Sequence, residues 1–496
     1  MSYKNERVAM VMIPYLRPDY PPLALATFKG ILNYEGISSK MLDLNIYVGS
    51  FFTDKEIQEL ENFCQGTQLN DEKRFYKKLR LFYRHYIKTS LVPFRPTTVG
   101  LSLFSFFMQK PAEIFCLELR KIFPDINIFA GGSGVTKFLN AEKKEIDDWS
   151  KIVTGNKIIN HIIIGEGENA VLDYIKFKKQ GIEFVPQLNN FDLREKLPCY
   201  DDLEVGAYKN KAFLEFDNNE LTVPITASRG CVRRCSFCNV ESLWPKYVFR
   251  PGKDVVDEME HYVKTMNIKN FKFTDSLING SNKAWRDINK EIVDRNLDIQ
   301  YTGQFIAKPI GQTTQEDYDM AQKAGATKMI IGVESGSESV RMHMKKKFDN
   351  KSLHDTIENL SDRNIMSHWM LITGYPTETE QDFQDTLRLI ERYKKYNDRI
   401  TLSFVSFVLL PDSPIAYQSK YEGLTFRTEN DYGHDDYSLV NYWICDQNPT
   451  LNFKKRLERF ENAKKFGKEC GFGSNVDPYK RTIKQHEAVH ENQILS

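Results

Sequence analysis

Ser228-Arg229-Gly230-Cys231-Val232-Arg233-Arg234-Cys235-Ser236-Phe237-Cys238 holds three cysteines within one short loop. Three thiolates this close can take three irons of a four-iron cluster and leave the fourth iron open, where a small molecule can coordinate and receive an electron. The bland alternative is a structural zinc knuckle, which needs four tetrahedral ligands, usually drawn from two close pairs. The next cysteine is Cys445 and the nearest downstream histidine is His261, so the open-iron reading is favoured. Gly230 lets the backbone approach such a cluster. Arg229, Arg233 and Arg234 favour its reduced state where they face it, and are ordinary solvated loop arginines where they do not.

Cys-x3-Cys-x2-Cys with an aromatic before the last cysteine resembles the signature of the radical S-adenosylmethionine (SAM) enzymes. The resemblance implies that Cys231, Cys235 and Cys238 bind a [4Fe-4S] cluster and that the amino and carboxylate groups of SAM chelate its open iron. It places Phe237 near the adenine. Reductive cleavage of SAM would release a 5'-deoxyadenosyl radical able to remove an unactivated hydrogen.

The rest of the chain is consistent with a multidomain enzyme. Its 496 residues exceed what one core normally fills, so two or three domains are expected. Hydrophobic content of 41% and charged content of 27% are those of a globular protein. A net charge of +1, from 68 basic and 67 acidic residues, argues against a surface devoted to a polyanion, so nucleic acid is not indicated. No apolar run is long enough for a membrane span, and Met1 to Arg7 is polar with no secretory core behind it. A cytoplasmic location follows, and the scattered Cys64, Cys116, Cys199, Cys445 and Cys470 fit a reducing compartment.

Upstream of the cysteines, strand and helix patterns alternate. Strands are expected at Val8–Ile13, Ser39–Leu44, Val99–Leu103, Ile126–Ala130 and Ile162–Ile164, with helices at Pro22–Tyr34 and Ala112–Phe123. The pattern predicts an α/β fold, with a Rossmann-like doubly wound sheet over residues 1–185. Pro21-Pro22-Leu23-Ala24-Leu25-Ala26, Asp43-Leu44-Asn45, Gly131-Gly132 and Gly165-Glu166-Gly167-Glu168 resemble, in order, the cobalamin-binding domain of one class of radical SAM enzymes. That resemblance implies cobalamin as a further cofactor. The Asp-x-His-x-x-Gly signature for a lower cobalt ligand is absent, and Pro14 to Pro22 holds no histidine. An insertion at Phe51–Pro96 contains the basic run Lys73 to Tyr86, with Phe75, Leu79, Phe82 and Tyr86 on one helical stripe. The favoured reading is an amphipathic helix with its aromatic side on the sheet; a nucleic-acid or acidic-peptide surface is the other.

Residues 186–220 are expected as a linker, with a hairpin formed by Ala212–Phe216 and Leu221–Ile225. Strands spaced by helices over residues 221–415 predict a partial (β/α) barrel radical SAM domain, with the cysteines at the carboxyl end of its first strand. The same resemblance implies Asp275 near the SAM amino group, Glu334 and Ser335 at the ribose, and Ile372 at the adenine. It also places Gly374 in a turn resembling Gly-x-Pro-x-Glu-Thr. Residues 416–496 are expected to be a small, mainly helical segment that caps the substrate.

Methyl transfer with cobalamin is the leading reaction, because it is the commonest chemistry of the class. Cobalamin-dependent cyclisation or rearrangement is the alternative, and a non-catalytic iron-sulfur scaffold is the non-enzymatic one. A methylthiotransferase would need three further clustered cysteines, and Cys64, Cys116 and Cys199 are too dispersed. An electron donor such as flavodoxin or ferredoxin is the expected partner, and the substrate is left open.

Overall fold

The computed structural model describes residues 5–15, 18–64, 69, 71–136, 148–189, 193–208, 216, 220–410, 412–417, 424–428 and 443–474. The chain divides into two compact units, residues 1–225 with 258–270 and residues 226–257 with 271–496.

In the first unit, strands β1 (Arg7–Met12), β2 (Ser38–Asp43), β3 (Thr98–Ser102), β4 (Asn127–Gly131), β5 (His161–Gly165) and β6 (Gly181–Val185) form one sheet in the order β2-β1-β3-β4-β5-β6. Every pairing in it is parallel. Val8, Ala9 and Val11 are fully buried, as a strand covered on both faces requires. The order reverses between β1 and β3, which is where an open sheet of this kind receives ligands beyond its carboxyl ends. This is the doubly wound sheet expected from the strand and helix alternation. Helix Gly167–Phe177 and strand β6 were not anticipated. β6 is an edge strand, half-buried along its whole length, so it carries no apolar run to announce it.

The basic run forms helix Glu72–Tyr86, with Phe75, Leu79, Phe82 and Tyr83 buried. Its aromatic stripe packs on neighbouring helices instead of the sheet. Phe75 lies 5.2 Å from Phe63 of helix Asp54–Cys64, and Tyr83 meets Phe115 of helix Gln109–Ile122 edge-on at 5.4 Å. Two buried acids outside the run neutralise much of its charge. Glu56 takes Lys78 and Arg74, while Glu118, 1% exposed, takes Arg80, Arg84 and Lys121. The amphipathic reading therefore describes this helix, with the packing partner corrected.

The second sheet begins with β7 (Thr222–Ile225). A short antiparallel ribbon of β8 (Ser228–Arg229) and β9 (Val248–Phe249) follows. Then come β10 (Asn270–Phe273), β11 (Gln300–Phe305), β12 (Ala326–Glu334), β13 (Met366–Thr373) and β14 (Ile400–Ser406). The sheet order β7-β10-β11-β12-β13-β14 follows the chain, with helices between successive strands. An in-order parallel run of this kind is a (β/α) barrel left open at one side. Ala212–Phe216, expected as a hairpin arm, lies outside the described residues except for Phe216.

The C-terminal segment is mainly helical, as expected, with short strands added. Beyond residue 416, β15 (Phe426–Thr428) and β16 (Trp443–Cys445) pair antiparallel, helix Phe453–Glu469 follows, and β17 (Gly473–Ser474) adds to the open edge of β14 in parallel. Trp443 is fully buried, edge-on to Phe407 at 5.4 Å, with the Arg456 guanidinium 3.9 Å over its ring. The described part of the segment thus belongs to the barrel core, and its removal is not expected to leave the rest intact. Buried arginines hid this, because Arg456 and Arg459 read as surface residues of a charged helix. Trp443→Ala should destabilise the chain by about 3–5 kcal/mol, the usual cost of emptying a large aromatic site, measured by urea unfolding.

Candidate active site

The cysteine loop begins where β7 ends. Gly230 has φ +80°, and a Cβ there would sit 2.1 Å from the Lys246 carbonyl oxygen, so only glycine fits beneath the ribbon. The Arg233 N–H donates to Cys231 Sγ at 3.3 Å, and the Cys238 N–H donates to the Cys235 carbonyl at 3.2 Å. Ser236 holds the middle of the loop. Its N–H donates to the Met344 carbonyl at 3.1 Å and its carbonyl accepts from Ile415 at 2.7 Å. Its hydroxyl lies 2.9 Å from Tyr375 Oη, which also meets His343 Nδ1 at 2.9 Å. An irregular loop is thereby fixed at its centre by three separate parts of the barrel.

Cys235 is buried, while Cys231 and Cys238 are half-buried, and all three are free thiols. Burial pushes the Cys235 thiol up to about 12 and raises that of Cys238 as well. Such thiols stay protonated at neutral pH until a metal displaces the proton. Among the described residues, no three Cys, His, Asp or Glu side chains gather as a single-ion cage requires. The donor set suits a polynuclear group in which each thiolate takes its own iron.

Asp275 follows β10 and is 2% exposed. One carboxylate oxygen accepts from the Ala227 N–H at 3.0 Å and the other from the Ser228 hydroxyl at 2.5 Å. Burial pushes this carboxyl up to about 6, against those hydrogen bonds. Both oxygens are engaged with the base of the cysteine loop, so this side chain orients the loop.

Glu334 ends β12 with φ +63° and forms a buried ion pair with Lys346 Nζ at 2.8 Å. Gly332 leaves room for that pair, since a Cβ there would meet Glu334 Oε1 at 2.4 Å. Burial works against the Lys346 ammonium, but the Glu334 carboxylate, with the nearby Cys235 and Cys231 sulfurs adding to it, holds it above the usual lysine value. Ser335 is fully buried and its hydroxyl is engaged within the fold: it accepts from the Ser337 N–H at 3.1 Å and lies 3.3 Å from Thr386 Oγ1. Of the two residues expected at a ribose, Glu334 lies beside the thiols and Ser335 braces the loop after β12.

Phe237 and Ile372 come together in one apolar cluster with Val340, Met344, Tyr375 and Trp443. Gly374 has φ +73°, and a Cβ there would strike Arg456 at 2.7 Å. Its N–H donates to Glu378 Oε1 at 3.0 Å, and Arg459 donates to the same oxygen at 2.7 Å. Thr379 caps helix Glu380–Arg392 in a reciprocal box with Asp382, which also accepts from Ser337 at 2.6 Å.

Sequence reasoning missed Ser236, His343, Lys346, Tyr375, Arg456 and Arg459. Lys346 sits in Lys345-Lys346-Lys347, a triplet that looks like surface, yet it is only 6% exposed. Tyr375 was legible as part of the turn after a strand, though its partner Ser236 was not.

Residues 225–390 match the family model described as the Radical SAM superfamily. This segment is a radical SAM domain. Such a domain implies SAM and a [4Fe-4S] cluster. The chain is 22% identical over 294 residues to the anaerobic magnesium-protoporphyrin IX monomethyl ester cyclase of Synechocystis, covering 56% of each chain. It is 24% identical over 295 residues to the tRNA-2-methylthio-N(6)-dimethylallyladenosine synthase of Staphylococcus aureus, covering 50% of this chain and 56% of that one. It thus spans little more than half the length of these relatives. Its fold is similar to that of TsrM from Kitasatospora setae, a radical SAM methyltransferase solved with tryptophan and a SAM analogue. The TM-score is 0.63 at 16% identity, over 96% of this chain and 89% of that one. OxsB, a cobalamin-dependent SAM radical enzyme, gives a TM-score of 0.63 at 16% identity, over 88% and 64%.

Gly230→Ala should lower the iron bound per chain after oxygen-free reconstitution, with helix content retained in circular dichroism. A second expectation concerns pH. Burial pushes the Glu378 carboxyl up from 4.5 to about 7 in the native protein, despite Arg459. Between those values the native state holds a proton that the unfolded chain has released, so stability falls as pH rises through this window. Glu378→Gln should flatten that slope in urea unfolding followed from pH 4.5 to 7.

Proposed function

We propose that the chain is a radical SAM enzyme that cleaves SAM reductively and directs the resulting 5'-deoxyadenosyl radical to a cobalamin-dependent methyl transfer at an unactivated centre. The observation that carries this reading is the trio Cys231, Cys235 and Cys238, three free thiols on the loop that follows the first barrel strand. Bound there, a [4Fe-4S] cluster supplies the electron that splits the sulfonium. The protein's own part is to fix geometry. Asp275 and Ser236 hold the cysteine loop at its base and centre. Phe237 and Ile372 offer the apolar wall expected beside adenine, and Lys346 sets a cation against the thiolates.

For cobalamin, the first unit supplies a doubly wound sheet with its switch point between β1 and β3. The loop from Pro14 to Pro22 carries no histidine, so the group would be held by the loops after the strands without an imidazole from that loop. A Cβ at Gly132 would strike Leu103 O at 2.4 Å and one at Gly165 would strike Val185 O at 2.0 Å, so these glycines serve backbone packing within the unit. The fold likeness to TsrM and OxsB is what supports the cofactor. Cobalamin supplies the methyl group when bound.

Radical cyclisation is the second reading, favoured by the match to the Synechocystis cyclase over about half of each chain. Flavodoxin or ferredoxin would deliver the electron. Among the described residues no helix is long and apolar enough to cross a membrane. A cytoplasmic setting, which keeps thiols reduced, suits the eight free cysteines.

Oxygen-free, reconstituted protein given SAM and a strong reductant should form 5'-deoxyadenosine, and Cys235→Ala should abolish it. Absence of the product from the parent protein would reject the radical reading. Iron without cobalamin after supplementation would remove methyl transfer and leave the radical step standing.

A further inference from the structure

Lys308 lies just beyond the carboxyl end of β11, and Arg233 lies in the loop beyond the carboxyl end of β7. Both are half-buried. Their surroundings differ from those of Lys346, whose charge is met by Glu334 at 2.8 Å. Lys308 Nζ donates to two neutral oxygens, Gly280 O at 3.1 Å and Asn282 Oδ1 at 2.8 Å. That leaves one of its three N–H donors unused. Arg233 Nε is buried and has no acceptor among the described residues. No carboxylate among the described residues forms an ion pair with either cation.

The two cations also act on each other. Burial and the Arg233 charge bring the Lys308 ammonium down to about 8. The oxygen partners of Lys308 flank Ser281, the N-cap of helix Asn282–Asp294, so the positive end of a helix dipole adds to the same region. Half-buried like charges without a counter-ion are unfavourable unless an anion from outside joins them. Loading the cluster would balance Arg233, leaving Lys308 as the uncompensated charge.

We propose that Lys308, with Arg233 beside it, binds an anionic group, a carboxylate or a phosphate, of the molecule that the radical attacks. This rests on the radical reading above and narrows the substrate to an anion. The ammonium anchors that group at the strand ends, on the side of the barrel mouth formed by β7 and β11.

The test uses the full chain, reconstituted without oxygen. Lysines are labelled with acetic anhydride in the presence of inorganic phosphate, succinate, SAM or chloride at equal ionic strength, and modification is read at each residue by mass spectrometry. Phosphate or succinate should slow labelling of Lys308 about threefold or more relative to chloride while exposed Lys253 is unaffected, as a charge-assisted contact to the amine predicts. The anion that protects distinguishes phosphate from carboxylate. Equal labelling in every anion overturns the proposal, and so does protection by SAM alone, which would assign the cation to SAM. As a second readout, the rise in melting temperature caused by the protecting anion should vanish in Lys308→Met and persist in Lys308→Arg. If Lys308→Met fails to fold, labelling of the parent protein decides. Protection in a preparation that forms no 5'-deoxyadenosine supports the anion site and overturns its assignment to a radical substrate.

Discussion

A cluster-binding loop has no secondary structure to stiffen it, so its shape must be imposed from outside, and here Ser236 is where most of that force is applied. The residue is fully buried, with its N–H, carbonyl and hydroxyl all engaged by other elements. A buried polar group left without a partner costs about 1–3 kcal/mol, so each of these bonds strongly disfavours alternative loop shapes. Cys235 and Phe237 flank Ser236 in the chain, so fixing this residue also restrains a buried thiol and the ring that packs on the apolar cluster.

The same logic extends outward through buried charge. Glu378 receives Gly374 and Arg459, so the turn after β13 depends on a helix more than seventy residues further along the chain. Arg456 fills the space that Gly374 leaves and also stacks on Trp443. Breaking such a pair strands a charge in the interior, which is far costlier than never having built it. The tail is consequently part of the machinery that shapes the barrel mouth.

Much of this architecture was legible beforehand, and the pattern of what was not is informative. The apolar run Val8–Ile13 announced a buried parallel strand, because a strand covered on both faces must be apolar throughout. β6 and β17 were missed because an edge strand is relieved of that demand. The aromatic stripe Phe75, Leu79, Phe82 and Tyr86 correctly indicated a buried face, but periodicity cannot name the partner, and that partner was a set of helices. At the site, Asp275 and Glu334 were picked out by resemblance, yet their hydrogen bonds to Ala227, Ser228 and Lys346 are long-range facts.

By itself the sequence determined the chemistry available: three thiols at one spacing, on a loop after a strand, within an alternating α/β chain. Spacing and periodicity are local quantities, and local sequence contains them in full. Only the tertiary structure decided which charges meet. It buried Lys346 against Glu334 while leaving Lys308 with no carboxylate partner among the described residues, because ion pairing depends on distances that only folding sets.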